Sequence, residues 1–305
     1  MRGPERIKRS SPTGALASVP APEFDLALTL GCGQVFHWEK SGEGFRGAIG
    51  DRAVYAEQRN EELLVTRGCE EIARRYFALD HPLDEIYATF PDDPDMAAAL
   101  EFCRGLRIIR QPLWECVATF ITSSMKQVAH IAQISHTLRR RFGRQAECEG
   151  ESGGLFAYPS PGDLARLEEA DLRACSLGYR AVNLLGSARM IASGEVDLDA
   201  ISALDDKEAR AMLCRLPGVG VKVANCALLF GYERFKAFPI DVWIERVLRE
   251  FYFKGKRRVT VRRLEEFSSR YFGDYGGYAQ QYLFHYARKT WKEREVSKPR
   301  RTARG

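Results

Sequence analysis

The sequence predicts an α+β fold: an N-terminal antiparallel β-sheet domain, then a predominantly α-helical domain with a helix–hairpin–helix unit. Three observations predict it. Short alternating runs, separated by Gly, Asp and Asn turns, occupy residues 31–66. Asp80-His81-Pro82-Leu83-Asp84 then opens a mostly helical region that continues to the end of the folded part. Within it, two helix-prone runs flank Leu216-Pro217-Gly218-Val219-Gly220, whose Pro and two Gly force a tight turn.

A chain of 305 residues holds one large or two ordinary domains. Its 45% hydrophobic and 29% charged content is that of an ordinary soluble globular protein. The net charge of +5 is a weak pointer to nucleic acid, but its distribution says more. Between residues 288 and 304, eight Lys/Arg stand against two Glu, so the rest of the chain nets −1. Any nucleic-acid affinity in the body must therefore come from local patches. Eight scattered cysteines without a Cys-x-x-Cys pair indicate reduced thiols in an intracellular protein, with no disulfide framework. No apolar run reaches transmembrane length, and the basic N-terminus has no apolar signal region.

Residues 1–22, rich in Pro, Ser, Gly and Arg without periodicity, read as a disordered basic tail. The sheet domain follows over 23–103. Its strands are expected at 31–38, which alternates after a Gly break, and at 47–49, 53–56 and 62–66, with a helix over 70–79. The helical domain spans 104–290, and a second basic tail covers 291–305. Residues 106–112 lead into an amphipathic helix over 113–124. Arg139, Arg140, Arg141 and Arg144 end the next helix as a solvated face. An acidic flexible loop fills 146–154, and Pro161 starts the following helix at a favoured position. Gly178 closes a helix before Tyr179 and Arg180.

The hairpin carries the chemistry. The helix over 221–230 stops at Gly231, and glycines at 218 and 220 permit positive φ and close backbone approach. Amide groups at the start of that helix have no partner within it and can meet a phosphate oxygen. Lys222 sits in the first turn, where the helix dipole and partial burial would lower its pKa and leave some neutral amine. A neutral lysine is a nucleophile able to form a Schiff base. Asp241 follows 19 residues later, after Pro239, at the N-cap position of a helix over 242–251. There a carboxylate stays ionised and can steady a developing positive charge. The plainer reading makes Lys222 a phosphate contact and Asp241 only a cap.

The run LPGVGVKVANC…FPIDVW resembles the helix–hairpin–helix DNA glycosylases. With Lys in the hairpin it is similar to the bifunctional branch, and more closely to the 8-oxoguanine DNA glycosylases, over residues 24–290. The resemblance implies an enzyme that cuts the glycosidic bond of 8-oxoguanine in duplex DNA and then nicks the backbone, with Lys222 and Asp241 as catalytic residues. It implies that the carbonyl of Gly33 accepts the N7–H that only the oxidised base has. Cys226 would stack on one face of the flipped base. Lys222, Cys226 and Phe230 fall four residues apart on one helix face. Gln280 and Phe284 share a face of the last strong helix. The Gln amide could read a guanine Watson–Crick edge, and Phe284 would stack on the second face of the base.

DNA contacts are implied at the hairpin (Gly218, Gly220, Val221). In Leu177-Gly178-Tyr179-Arg180, the Tyr would wedge into the stack and the Arg face the orphaned base. Six positions depart from the family pattern. Met125-Lys126-Gln127 stands where the family has three asparagines, and His130 where it has an arginine, so weaker selection of an opposite cytosine is expected. Trp243 replaces a histidine near the 5′ phosphate, and Phe230 replaces a methionine of the human-like enzymes. No cysteine follows Tyr252, so the four-Cys iron–sulfur cluster of endonuclease III relatives is not expected. The expectation is a monomer that acts on double-stranded DNA beside the genome, in nucleoid or nucleus, without membrane, metal or organic cofactor. The alternatives are a superfamily glycosylase for another oxidised or alkylated base and a non-catalytic helix–hairpin–helix DNA-binding protein.

Overall fold

The computed structural model describes residues 15–123, 127–147, 154–255 and 259–296. Five strands form one antiparallel sheet: β1 (Leu16–Pro20), β2 (Glu39–Ser41), β3 (Gly44–Ile49), β4 (Arg52–Arg59) and β5 (Glu62–Thr66). Their order is β1-β5-β4-β3-β2. Two-residue loops join β3 to β4 and β4 to β5, each beginning with a left-handed residue, Gly50 at φ +60° and Asn60 at φ +53°. The sheet packs Val54, Leu63 and Val65 against Tyr76 and Phe77 in a core of its own.

Fourteen α-helices are described. They are α1 (Leu26–Gly31), α2 (Glu70–Tyr76), α3 (Leu83–Ala88), α4 (Pro94–Cys103), α5 (Leu113–Ser123), α6 (Val128–Phe142) and α7 (Pro161–Ala165). The series continues with α8 (Glu169–Arg173), α9 (Arg180–Ala192), α10 (Asp206–Leu213), α11 (Val221–Phe230), α12 (Val242–Tyr252), α13 (Val261–Tyr271) and α14 (Gly276–Val296). Asp93, Ser160, Asp205, Asp241 and Thr260 cap helix starts with their side chains, and Pro94 and Pro161 occupy first helical turns. Helix α11 is buried from Val223 to Phe230 and packs on α5, which is buried from Glu115 to Thr122.

Three expectations are corrected. Residues 16–20 belong to the sheet, where β1 pairs with β5 and buries Val19; backbone pairing holds a segment with no sequence periodicity. The lead-in before residue 15 lies outside the described residues. Residues 32–38 are not a strand. Their neighbouring carbonyls are taken by side chains instead: Arg288 donates to Gly31, Gln281 to Cys32 and Gln111 to Gln34, at 2.9, 3.2 and 2.7 Å. Thirdly, α14 runs past residue 290, and Trp291 is buried beside Trp243 and Phe251, so the fold extends into the expected basic tail. Only residues 297–305 of that tail, with 148–153 of the acidic loop, lie outside the described part.

Arg139 also departs from the solvated face expected for it. It is 4% exposed, and its guanidinium contacts the buried Glu115 carboxylate and donates to the Phe156 carbonyl at 3.0 Å. Burial raises the Glu115 pKa, and Arg139 opposes that rise. His37, on the sheet side, lies 3.3 Å from the same carboxylate, which joins the sheet to the helical body. Glu115→Ala strands this cation, so a loss of about 3–5 kcal/mol in unfolding free energy is expected by denaturant titration.

Candidate active site

The hairpin between α10 and α11 is held by Ser187, whose hydroxyl donates to the Pro217 carbonyl at 2.9 Å. Gly218 has φ +80°, and a Cβ there would meet Asn183 at 2.8 Å, so glycine is required on both counts. Gly220 differs from expectation. It has an ordinary extended backbone (φ −94°, ψ −179°) as N-cap of α11, and open space where a Cβ would stand. Its service is to leave the first amides of α11 uncovered, with no side-chain cap, beside an exposed Val221.

Behind the hairpin lies a cavity of about 580 Å³, within the range of small-molecule sites. One face of α11 supplies Lys222, Cys226 and Phe230. The start of α12 supplies Asp241 and Trp243, and α14 supplies Gln280 and Phe284. The irregular 32–38 segment brings Gly33. Residues more than 240 positions apart in sequence thus share one wall. The 32–38 segment is locked by Gln34, fully buried, whose amide donates to Thr29 and Arg107 carbonyls and accepts from the Ile109 amide at 2.8 Å.

Lys222 is half-buried, its Nζ 5.3 Å from the Phe120 ring centre. Phe120 stacks on Phe230 at 5.4 Å and 12°. Asp241 accepts the Ile244 amide at 2.8 Å as N-cap of α12. Burial raises its carboxyl above the ordinary value, and the Ile244 amide and the Lys222 charge pull it back. The cap alone therefore does not set its charge, as the sequence had suggested; desolvation is the larger influence. Burial also pushes the Cys226 thiol up to about 11, against the pull of Lys222.

Gln280 and Gln281 divide labour. Gln281 supports the Cys32 carbonyl, whereas the Gln280 Oε1 is buried with no hydrogen-bond partner. A buried unpaired acceptor on a cavity wall is a ready place for a ligand donor. Gly33 has φ +92°, and a Cβ there would lie 2.7 Å from Arg288 Nη1 and 3.4 Å from Phe284 Cε1. Gly33→Ala meets backbone strain of about 1–2 kcal/mol together with a blocked pocket. The expected outcome is a lower midpoint in chemical unfolding and a larger loss, at least about tenfold, in ligand affinity.

Away from the cavity, Tyr179 is 57% exposed just before α9. Arg180 does not face outward as expected. It is 4% exposed, lies 4.4 Å from the Tyr179 ring and props that ring from beneath, because the start of α9 directs it inward. His130 is half-exposed on the first turn of α6 and does not line the cavity, whereas Gln127 and Val128 do. Met125 lies outside the described residues. Sequence reasoning missed Phe36, Phe120 and Arg288 in the wall. Arg288 had a signal: it follows Phe284 by four and Gln280 by eight, on the same helix face. Among the described residues no group of three or more His, Cys, Asp or Glu could hold a metal ion, and no helix is long and apolar enough to cross a membrane.

Comparison with known proteins agrees with this architecture. Residues 17–117 match the 8-oxoguanine DNA glycosylase N-terminal domain, and residues 118–270 match the HhH-GPD superfamily of base excision DNA repair proteins. A probable N-glycosylase/DNA lyase of Methanothermobacter thermautotrophicus is 31% identical, over 89% of this chain and 96% of that protein. The solved structure of MBOgg1 with a low-affinity DNA ligand is 30% identical, with TM-score 0.85 over 92% of this chain and 98% of its own. The Clostridium acetobutylicum 8-oxoguanine glycosylase/lyase, solved with double-stranded DNA containing cytosine opposite 8-oxoG, is 27% identical, with TM-score 0.82 over 90% and 98%. This chain belongs to the 8-oxoguanine DNA glycosylase family of the HhH-GPD superfamily.

Proposed function

We propose that this protein is a bifunctional DNA glycosylase and AP lyase that excises 8-oxoguanine from duplex DNA. The observation that carries the reading is the convergence of Lys222, Asp241, Gly33, Gln280 and Phe284 on one cavity beside the hairpin. The hairpin amides and Val221 grip the backbone, and Tyr179 fills the gap left by the extruded base. The Gly33 carbonyl accepts N7–H, the Gln280 amide reads the Watson–Crick edge, and Phe284 and Cys226 sandwich the ring.

The lone pair of the Lys222 amine attacks C1′ as the C1′–N9 bond breaks, and the bonding pair of C1′–N9 leaves with the base. Asp241 stabilises the positive charge that grows on the sugar. Loss of the ring oxygen bond gives a Schiff base between Lys222 and C1′. Removal of a C2′ proton then expels the 3′ phosphate by β-elimination. Every group in this sequence is a side chain, so it calls on no metal or organic cofactor.

The test is a duplex panel with 8-oxoguanine opposite C, A, G and T, scored separately for free base and for nicked strand. Release from the 8-oxoguanine duplexes and none from guanine is the expected result. Because Met125-Lys126-Gln127 and His130 replace the family's asparagines and arginine, the four opposite bases should differ by less than about tenfold. Binding without release would favour the non-catalytic alternative, and release of an alkylated base instead would favour the other glycosylases.

A further inference from the structure

Arg288 reaches the cavity from α14 and has no part in the mechanism above. Its position is fixed from two sides. Nη2 donates to the Gly31 carbonyl at 2.9 Å, and the guanidinium carbon lies 5.2 Å from the Phe284 ring centre. The other terminal nitrogen, Nη1, is buried and has no hydrogen-bond partner. It stands where a side chain at position 33 would begin, 2.7 Å from a Cβ built on Gly33. A charged donor buried without an acceptor is costly, and such a group on a cavity wall marks the place of a ligand oxygen.

The next step rests on the 8-oxoguanine reading. If the Gly33 carbonyl takes N7–H, a donor beside it meets one of the two oxygens that flank N7 on that edge of the base, O6 or the C8 oxygen. Gln280 serves the Watson–Crick side, where O6 lies. C8 is bonded to N9, the atom that departs from C1′, so its oxygen lies toward the sugar and Asp241. Arg288 is near enough to Asp241 to help lower that carboxyl.

We propose that Arg288 is a specificity-determining residue whose Nη1–H donates to the C8 oxygen of the flipped base and stabilises the charge that builds there as the base leaves. When C1′–N9 breaks, the bonding pair goes to the base and spreads from N9 to the C8 oxygen, while the Lys222 lone pair forms the new bond to C1′. The base later takes a proton from water. Guanine presents C8–H at the same place, which leaves the guanidinium donor buried and unpaired. The one residue therefore favours the lesion and disfavours the normal base.

The experiment uses Arg288→Met and Arg288→Lys in the full chain. Single-turnover release of 8-oxoguanine by Arg288→Met should fall on the order of 100-fold, the scale of losing one donor to a developing oxyanion. Nicking of a preformed abasic site should fall far less than base release, because no base is present and only the Arg288 influence on Asp241 is lost, and retained nicking also shows that the variant folds. Arg288→Lys should recover part of the rate. In a Lys222→Gln background, Arg288→Met should weaken binding to 8-oxoguanine duplex by about tenfold and leave binding to guanine duplex no weaker, so that the preference for the lesion narrows. Equal loss on lesion and guanine duplexes, or on abasic DNA, would assign Arg288 to O6, a phosphate or the scaffold and overturn the proposal. Unchanged release would overturn it equally. Failure of the wild-type chain to release 8-oxoguanine would instead sink the parent reading.

Discussion

Lys222→Gln is expected to abolish the covalent complex that borohydride traps between the protein and 8-oxoguanine DNA, while lesion binding persists. Glutamine approximates the length of lysine but has no basic amine, so it can fill space beside Phe120 without attacking C1′. Loss of a nucleophile that works in concert with its neighbours is large, on the order of 10⁴-fold or more in single-turnover excision. Asp241 loses a cation that lowers its carboxyl, so the variant carboxylate should titrate still higher. The measurement is gel-shifted covalent product and free base over time. A variant that still releases base at the wild-type rate would remove Lys222 from the chemistry, leaving it the phosphate contact of the plainer reading.

Asp241→Asn separates the two duties of that side chain. Asparagine caps helices about as well as aspartate, so the bond to the Ile244 amide and the entry into α12 should survive. The negative charge does not survive, and excision should slow by about 10²- to 10³-fold, the usual cost of removing one preorganised electrostatic partner. Stability should move the other way. Burial raises the folded-state pKa of Asp241 above its unfolded value. The folded protein therefore binds this proton more tightly, and ionising the group costs stability. That cost is absent below the unfolded pKa, grows as pH rises through the interval between the two values, and is complete above the folded one. At neutral pH the Asn variant should melt higher than wild type, with the advantage vanishing in acid. Thermal unfolding at both pH values checks it; a lower melting temperature at neutral pH would mean that the charge supports the fold rather than straining it.

The helix–hairpin–helix unit was legible because its signals are local. Pro217 and Gly218 set the turn, Gly231 ends α11 as expected, and Asp241 caps α12 through its own side chain. Spacing of four residues put Lys222, Cys226 and Phe230 on one face, and Gln280 and Phe284 on another, and both faces meet at the cavity. The hairpins of β3, β4 and β5 were equally readable from alternation and turn residues. Errors came where long-range partners overrode local pattern. Residues 32–38 alternate like a strand, yet Gln111, Gln281 and Arg288 satisfy carbonyls there that a neighbouring strand would otherwise take. Arg139 looks like a surface cation, yet it is buried against Glu115, a partner in another helix that no nearby residue announces, and Arg180 is buried too, against the ring of its neighbour Tyr179.

By itself, then, the sequence determined the hairpins of β3, β4 and β5, the turn before α11, and the placing of Lys222 in its first turn and of Asp241 at the cap of α12, because φ/ψ limits, helix period and capping act within a few residues of one another. Only the tertiary structure decided that Arg288 enters the cavity wall, that Asp241 is strained by burial despite its cap, and that Gly33 faces a guanidinium. Burial and charge at those sites depend on segments brought together from across the chain, and no local rule of spacing encodes the desolvation that follows.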